Sequence, residues 1–347
     1  MGLALAGAIS VRLLVLPPAG LLRHAEPTAS RAFLAPGRTT ALTPAGRRQV
    51  RASAFWGHAY TTSTGETVNV SVSDTYPVDE AVGQSWADYF AGLVHGSELQ
   101  LIHVYVLAPS EVEYVCGEGS LGCYGSNELV MIGEPSGGID PKEVAAHEYG
   151  HHIAFNRVNA PWVAEDWGTK RWASYANVCR RASGGTAYPG DEGDHYRLNP
   201  GEAFAEVYRA LNDARAGLAT TWPIVDATFY PDAAALQAVE DDVARPWTAP
   251  TSRTAQVAFT ARGPKVWRLT LRTPLDGQFD AALTMPKGGL YDVSLLAADG
   301  STTLASGLWS GAAQKKLSFT ICGQRSLHLR VTRTGLPGRF VVRYSQP

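Results

Sequence analysis

The chain has 347 residues, 45% of them apolar and 18% charged, with 35 Gly and 21 Pro. That length and apolar content supply a large core and favour two domains over one, while abundant turn formers and few charges exclude a coiled coil and wholesale disorder. Lys and Arg total 30 against 32 Asp and Glu, a formal net charge of -2, so no basic excess exists to track a phosphate backbone and nucleic acid is excluded as a main partner.

Residues 2–22 (GLALAGAISVRLLVLPPAGLL) are apolar but interrupted by Arg12 and Pro17-Pro18. They fall short of the roughly 20 uninterrupted apolar residues of a membrane helix, so no stable membrane span is expected. With Arg12 as the early positive charge, Leu13 to Leu22 as the apolar region and small residues near Ser30 or Ala32, residues 1–32 read as a secretory signal. An irregular extension or a misassigned start is the alternative. Residues 33–50 lack apolar periodicity and have the composition of a linker or short propeptide, which starts the folded part near Arg51.

Phe55 to Val72 reads as short strands around a Thr/Ser/Gly turn, Val78 to Leu93 as a helix, and Leu99 to Leu107 as a buried strand. Cys116 and Cys123 bracket the loop CGEGSLGC, short enough for a disulfide to close. A zinc pair at this spacing would need a second close Cys pair, and none exists. The even count of four Cys leaves Cys179 to pair with Cys322, and the whole pattern fits an exported, extracellular protein. Leu129 to Ile132 reads as a further strand, expected at a sheet edge where an extended peptide can pair.

Asp140-Pro141-Lys142-Glu143 has the form of a capping box with Pro at the first helical position and predicts a helix to about Asn156. Asn199-Pro200 opens another, to about Arg215. Past Pro246, segments such as VWRLTLRT and SLHLRVTRT alternate apolar and polar residues between turns, so residues 254–347 read as an antiparallel β-sandwich. The predicted class is α+β followed by an all-β domain.

The helix after Asp140 contains His147-Glu148-Tyr149-Gly150-His151. The two His lie one turn apart on one face and can reach a single cation, while Glu148, about 100° round the helix, can address a water on it. Three protein ligands would leave a fourth zinc position open. Two surface His on a solvated helix face is the bland alternative. The third ligand cannot follow the metzincin pattern, because Ala154 and Arg157 stand where it needs Gly and His. The downstream segment Glu202-Ala203-Phe204-Ala205-Glu206 offers two carboxylates one turn apart, suited to one on the metal and one holding a ligand His by its other nitrogen. Alternatively, Glu202 is the capping partner of Asn199 and Glu206 a solvated charge.

On these residues the chain resembles the gluzincin-type zinc metallopeptidases: HEYGH is followed 51 residues after His151 by Glu202, with a second acid four further on. EAFAE is similar to the third-ligand helix of the anthrax lethal-factor type. The resemblance implies a zincin-like metallopeptidase domain over residues 51–245, with zinc (Zn2+) on His147, His151 and Glu202, Glu148 as general base, and Glu206 behind a ligand His. It also implies a Tyr or His that hydrogen-bonds the oxyanion. The candidates are Tyr196, His195 and Tyr175, and Tyr196, six residues before Glu202, is the choice. His152 and His103 read as structural. The C-terminal segment resembles the β-sandwich of the pre-peptidase C-terminal type appended to many secreted bacterial peptidases. The expected activity is hydrolysis of protein or peptide substrates. A metal-binding but non-catalytic protein acting by adhesion through its sandwich, and a zinc hydrolase of non-peptide bonds, are the other classes.

Overall fold

A computed structural model of the protein describes residues 41–222, 224–310 and 315–347. The expected signal (1–32) and the start of the expected linker (33–40) lie outside the described residues. From Ala41 on, the linker reading is corrected, because this stretch is already part of the fold. Thr43 accepts the Gly46 N–H at 3.0 Å and opens helix α1 (Pro44–Ala52), with Pro44 at its first position. Only Gly46 and Val50 of that helix are buried, too sparse a stripe to register as periodicity; the Thr-Pro cap was the available signal.

Six short strands form the first sheet: β1 (Phe55–Trp56), β2 (Ala59–Thr61), β3 (Thr67–Ser73), β4 (His103–Leu107), β5 (Gly122–Gly125) and β6 (Glu128–Ile132). Their order is β1-β3-β4-β6-β5, with β2 also on β3. β3, β4 and β6 are parallel, whereas β5 pairs antiparallel with β6. β6 is therefore an interior strand, which corrects its expected place at the edge. Every residue of β6 is buried, the pattern of a strand covered on both faces. The outer strand is β5, and its sequence GCYG is too short and Gly-rich to announce itself. The first half of the Leu99–Leu107 run is a 3₁₀ turn (Ser97–Leu101), and the strand starts at His103.

Helix α2 (Glu80–Gly92) packs on β3, and helix α3 (Pro109–Cys116) leads into the Cys loop. Cys116, at the end of α3, is disulfide-bonded to Cys123 on β5 with a Cα–Cα distance of 5.8 Å. Helix α4 (Pro141–Phe155) lies on β5 and β6. Asp140 caps it by accepting the Lys142 N–H at 2.8 Å. Glu143 does not complete a capping box; its carboxylate accepts from Thr221 Oγ1 at 3.4 Å and lies 3.8 Å from Arg209. Three short helices follow, α5 (Ala164–Trp167), α6 (Lys170–Tyr175) and α7 (Val178–Ser183), then α8 (Pro200–Ala216), which packs on α4, and α9 (Ala233–Ala244).

The remaining strands form two four-stranded antiparallel sheets with a core of their own. One joins β8 (Val266–Arg272), β10 (Leu290–Leu296), β11 (Thr303–Ser310) and β13 (Ser326–Arg333); the other joins β7 (Thr251–Phe259), β9 (Gly277–Thr284), β12 (Lys315–Ile321) and β14 (Gly338–Gln346). In β13, buried and half-buried residues alternate, the period-two pattern visible in the sequence. The whole is a mixed α and β structure. Its two parts are tied by the disulfide between Cys179 on α7 and Cys322, Cα–Cα 5.2 Å. Around it, the Asp276 N–H donates to Ser174 Oγ at 2.9 Å and the Arg325 guanidinium donates to both Asp276 and the Ser174 carbonyl. No helix among the described residues is long and apolar enough to cross a membrane.

Candidate metal centre

Three donors meet where α4 packs on α8. His147 and His151 share one face of α4, and Glu202 faces them from the first turn of α8. His147 Nε2 lies 3.2 Å from His151 Nε2 and 3.2 Å from Glu202 Oε2, and His151 Nε2 lies 3.4 Å from Glu202 Oε1. A tetrahedral ion with bonds of about 2.05 Å holds its donors about 3.3 Å apart. The three buried side chains thus already have the spacing of a zinc shell, and the two His plus one carboxylate are a donor set that suits it.

Close helix packing makes this possible. A Cβ on Gly150 would lie 2.7 Å from the Ala205 Cα, so the glycine of HEYGH and the alanine of EAFAE let the helix backbones approach. Asn199 caps α8 through the Gly201 N–H at 3.0 Å, but Glu202 is turned into the site and takes the Tyr196 hydroxyl at 2.6 Å.

Glu206 stands behind the donors. Its Oε1 is 2.9 Å from His147 Nδ1, and its Oε2 accepts from Arg209 Nη2 at 2.6 Å. An Nδ1–H donated to this carboxylate leaves the Nε2 lone pair aimed at the centre. Arg209 is buried and also donates to the Thr221 carbonyl at 2.8 Å and to Asp213 at 3.0 Å.

The charges are arranged for a cation. Burial works against a charged His147, but Glu202 and Glu206 outweigh it and hold its pKa up at about 10. Glu206 is held down at about 2, because Arg209 and His147 overcome the burial that opposes ionisation. Glu202 is likewise held well below the usual carboxylate range, against burial, by His151 and His147. Glu148 differs: burial pushes it up to about 7, and the neighbouring His only partly oppose this. Its Oε2 is buried with no hydrogen-bond partner among the described residues. Gly122 of β5 closes over it, since a Cβ there would lie 2.7 Å from Glu148 Oε1.

Of the expected residues, His147, Glu148, His151, Tyr196, Glu202 and Glu206 come together. His195 instead pairs with Asp191 at 2.8 Å, and Tyr175 donates to Asp232 at 2.6 Å; neither reaches the centre. His152 is buried against the Glu98 carbonyl at 2.8 Å and Tyr124 at 3.1 Å, and burial lowers its pKa to about 4. His103 lies 2.9 Å from Ser71 Oγ, away from the site. Sequence reasoning missed Arg209. Its signal was a base three residues after Glu206 on the same helix face.

No protein-family model matches the chain, and no curated protein matches its sequence. Among solved structures, 28% of the chain is similar to 88% of a Yersinia pseudotuberculosis-derived mitogen, with a TM-score of 0.21 and 11% identity. The same share, 28%, is similar to 85% of the tobacco streak virus coat protein, with a TM-score of 0.17 and 6% identity. A third likeness, to the capsular polysaccharide assembling protein CapF of Staphylococcus aureus, covers 48% of each chain, with a TM-score of 0.16 and 12% identity. Likenesses at these TM-scores assign neither fold nor function to the chain.

Proposed function

We propose that the protein is an exported zinc-dependent peptidase with a zincin-like domain, in which His147, His151 and Glu202 hold the metal and Glu148 is the general base. The observation that carries this reading is the convergence of two imidazole nitrogens and a carboxylate at tetrahedral spacing beside an orphaned, buried carboxylate. When bound there, zinc supplies Lewis acidity toward a water and a substrate carbonyl. Glu148, with a proton affinity near neutrality, accepts the proton as the water oxygen bonds to the acyl carbon. It returns that proton to the amine as the C–N bond breaks. Glu206 keeps His147 in the tautomer that offers Nε2, and Arg209 keeps Glu206 ionised. Tyr196, a phenol held well above its ordinary pKa by burial and by Glu202, stays protonated; its hydroxyl donates to Glu202 and, turned from that carboxylate, would donate to the oxyanion.

Peptide as substrate is supported by β5, an outer strand running beside α4 with Gly122 against Glu148, where an extended chain can add alongside the base. Export is supported by the two disulfides, which persist in oxidising compartments.

The purified protein should bind about one zinc per chain with nitrogen and oxygen donors and no sulfur, as X-ray absorption reads directly. It should cleave members of a peptide mixture in a chelator-sensitive way, mapped by mass spectrometry. Glu148→Gln should keep the zinc and lose at least about 100-fold in rate. Zinc loss in that variant would overturn the assigned roles, and bound zinc with no cleavage of any peptide would move the reading to a non-catalytic metal protein.

A further inference from the structure

The cleft has two unlike ends. Val144, His147, His151 and Phe155 follow one another along one stripe of α4 at steps of three or four residues, so the metal donors sit mid-line. β5 runs beside α4 in the same sense. Gly122 lies against Glu148, whereas the Tyr124 ring meets Phe155 edge-on with centroids 5.9 Å apart. A peptide added antiparallel to β5 therefore has its N-terminal side at the Tyr124–Phe155 end and its C-terminal side at the Gly122–Val144 end.

At the N-terminal end, the strand edge is closed by the chain itself. The Leu42 N–H donates to the Tyr124 carbonyl at 2.9 Å, and a Cβ on Gly125 would lie 3.1 Å from the Leu42 carbonyl. Leu42 is buried and anchored ahead of α1. From Gly122 to Tyr124 a strand advances about 7 Å, which leaves room for about two residues before the scissile bond.

At this closed end Phe155, against Tyr124, also lines a separate groove along the end of α4, with Val158, Trp162, Val163, Glu165 and Arg157, whose guanidinium is taken up by Glu98 at 2.9 Å. Phe155, Val158 and Val163 are exposed. Glu165, on α5, lies within electrostatic reach of His151 and of Tyr124. Its carboxylate has no hydrogen-bond or ion-pair partner among the described residues. Arg47, also within reach, is turned to Glu128 at 3.8 Å, and the adjacent Asp166 adds negative charge. A lone carboxylate between a closed strand edge and an apolar groove complements a cation carried on an apolar residue.

We propose that Glu165 anchors the α-ammonium of the substrate while the groove takes its bulky apolar first side chain, so that the cleft releases one or two residues from a free peptide N-terminus. The hydrolytic half of this inference rests on the peptidase reading; the binding half does not. The zinc-loaded Glu148→Gln chain should bind L-phenylalaninamide at least about tenfold more tightly than its N-acetyl derivative in calorimetry. Glu165→Gln in that background should erase the difference. Val163→Arg, a change at an exposed position that puts a cation in the groove, should weaken the free amine alone. With the unaltered chain, peptides with a free N-terminal Phe should be cut near that end at least about tenfold faster than acetylated ones. An acetylated peptide with Lys as its first residue should be cut as slowly as the other acetylated ones, which separates a terminal amine from a basic side chain as the cation.

Amide binding indifferent to acetylation or to Glu165→Gln overturns the anchor whatever hydrolysis shows, as does internal cleavage of long acetylated peptides at equal rates. Selective amide binding without cleavage of any peptide overturns the peptidase reading alone.

Discussion

Glu202 and Glu206 sit one turn apart on α8 and should fail differently when removed. Glu202→Ala leaves two His and solvent, so stoichiometric zinc and activity should vanish together. Glu206→Ala leaves the three donors in place but frees His147 to rotate, which should cost about 10- to 100-fold in zinc affinity, recoverable with excess metal. It also leaves Arg209 buried with only Asp213 as its carboxylate at hydrogen-bond distance, and should lower unfolding stability by about 3 kcal/mol in denaturant titrations. Zinc titration of both variants checks the pair, and the reverse pattern would move the third ligand to Glu206. At this scale the spacing of HEYGH and EAFAE made five site residues legible, since i,i+4 pairs share a face in any helix, while Tyr196 followed from the family resemblance alone. Glu165 was not legible, because what would make it matter is which elements pack beside it, and Arg209 showed only as a base at i+3 from Glu206.

Between elements, the distance from α4 to α8 is set by Gly150 against Ala205. Gly150→Val touches no metal ligand, yet it should pry the helices apart. We expect a loss of about 1–3 kcal/mol in thermal or denaturant unfolding and a parallel fall in zinc affinity, read by competition with a chromophoric chelator. Unchanged zinc affinity would show that the donors do not depend on this packing. The two helices themselves were announced by Asp140-Pro141 and Asn199-Pro200, local signals that tertiary context left intact. β5 and α1 were not, for opposite reasons: β5 draws its place from pairing with β6, and α1 buries too narrow a stripe to show a period.

For the molecule as a whole, the two disulfides close loops of very different size, with sequence separations of 7 and 143. Chain-entropy arithmetic assigns about 2.5 kcal/mol to the short loop and about 5 kcal/mol to the long one. Replacing Cys179 and Cys322 by Ser should therefore destabilise the chain more than replacing Cys116 and Cys123, as urea midpoints will show. Zinc content should stay at one per chain in both, as no sulfur is a ligand. The alternation past Pro246 made the sandwich legible, and an even Cys count made the pairing readable. The Arg325–Asp276–Ser174 contacts that seat the sandwich on α6 were invisible, because they join residues 49, 102 and 151 positions apart.

The anchoring of Leu42 also bears on how the protein matures. Its N–H holds the Tyr124 carbonyl, and Thr43 behind it caps α1. Cutting the chain past Thr43 would strip a partner from the outer strand and the cap from a helix at once. If the chain is trimmed on export, as proposed, the cut that leaves both contacts in place lies ahead of Leu42.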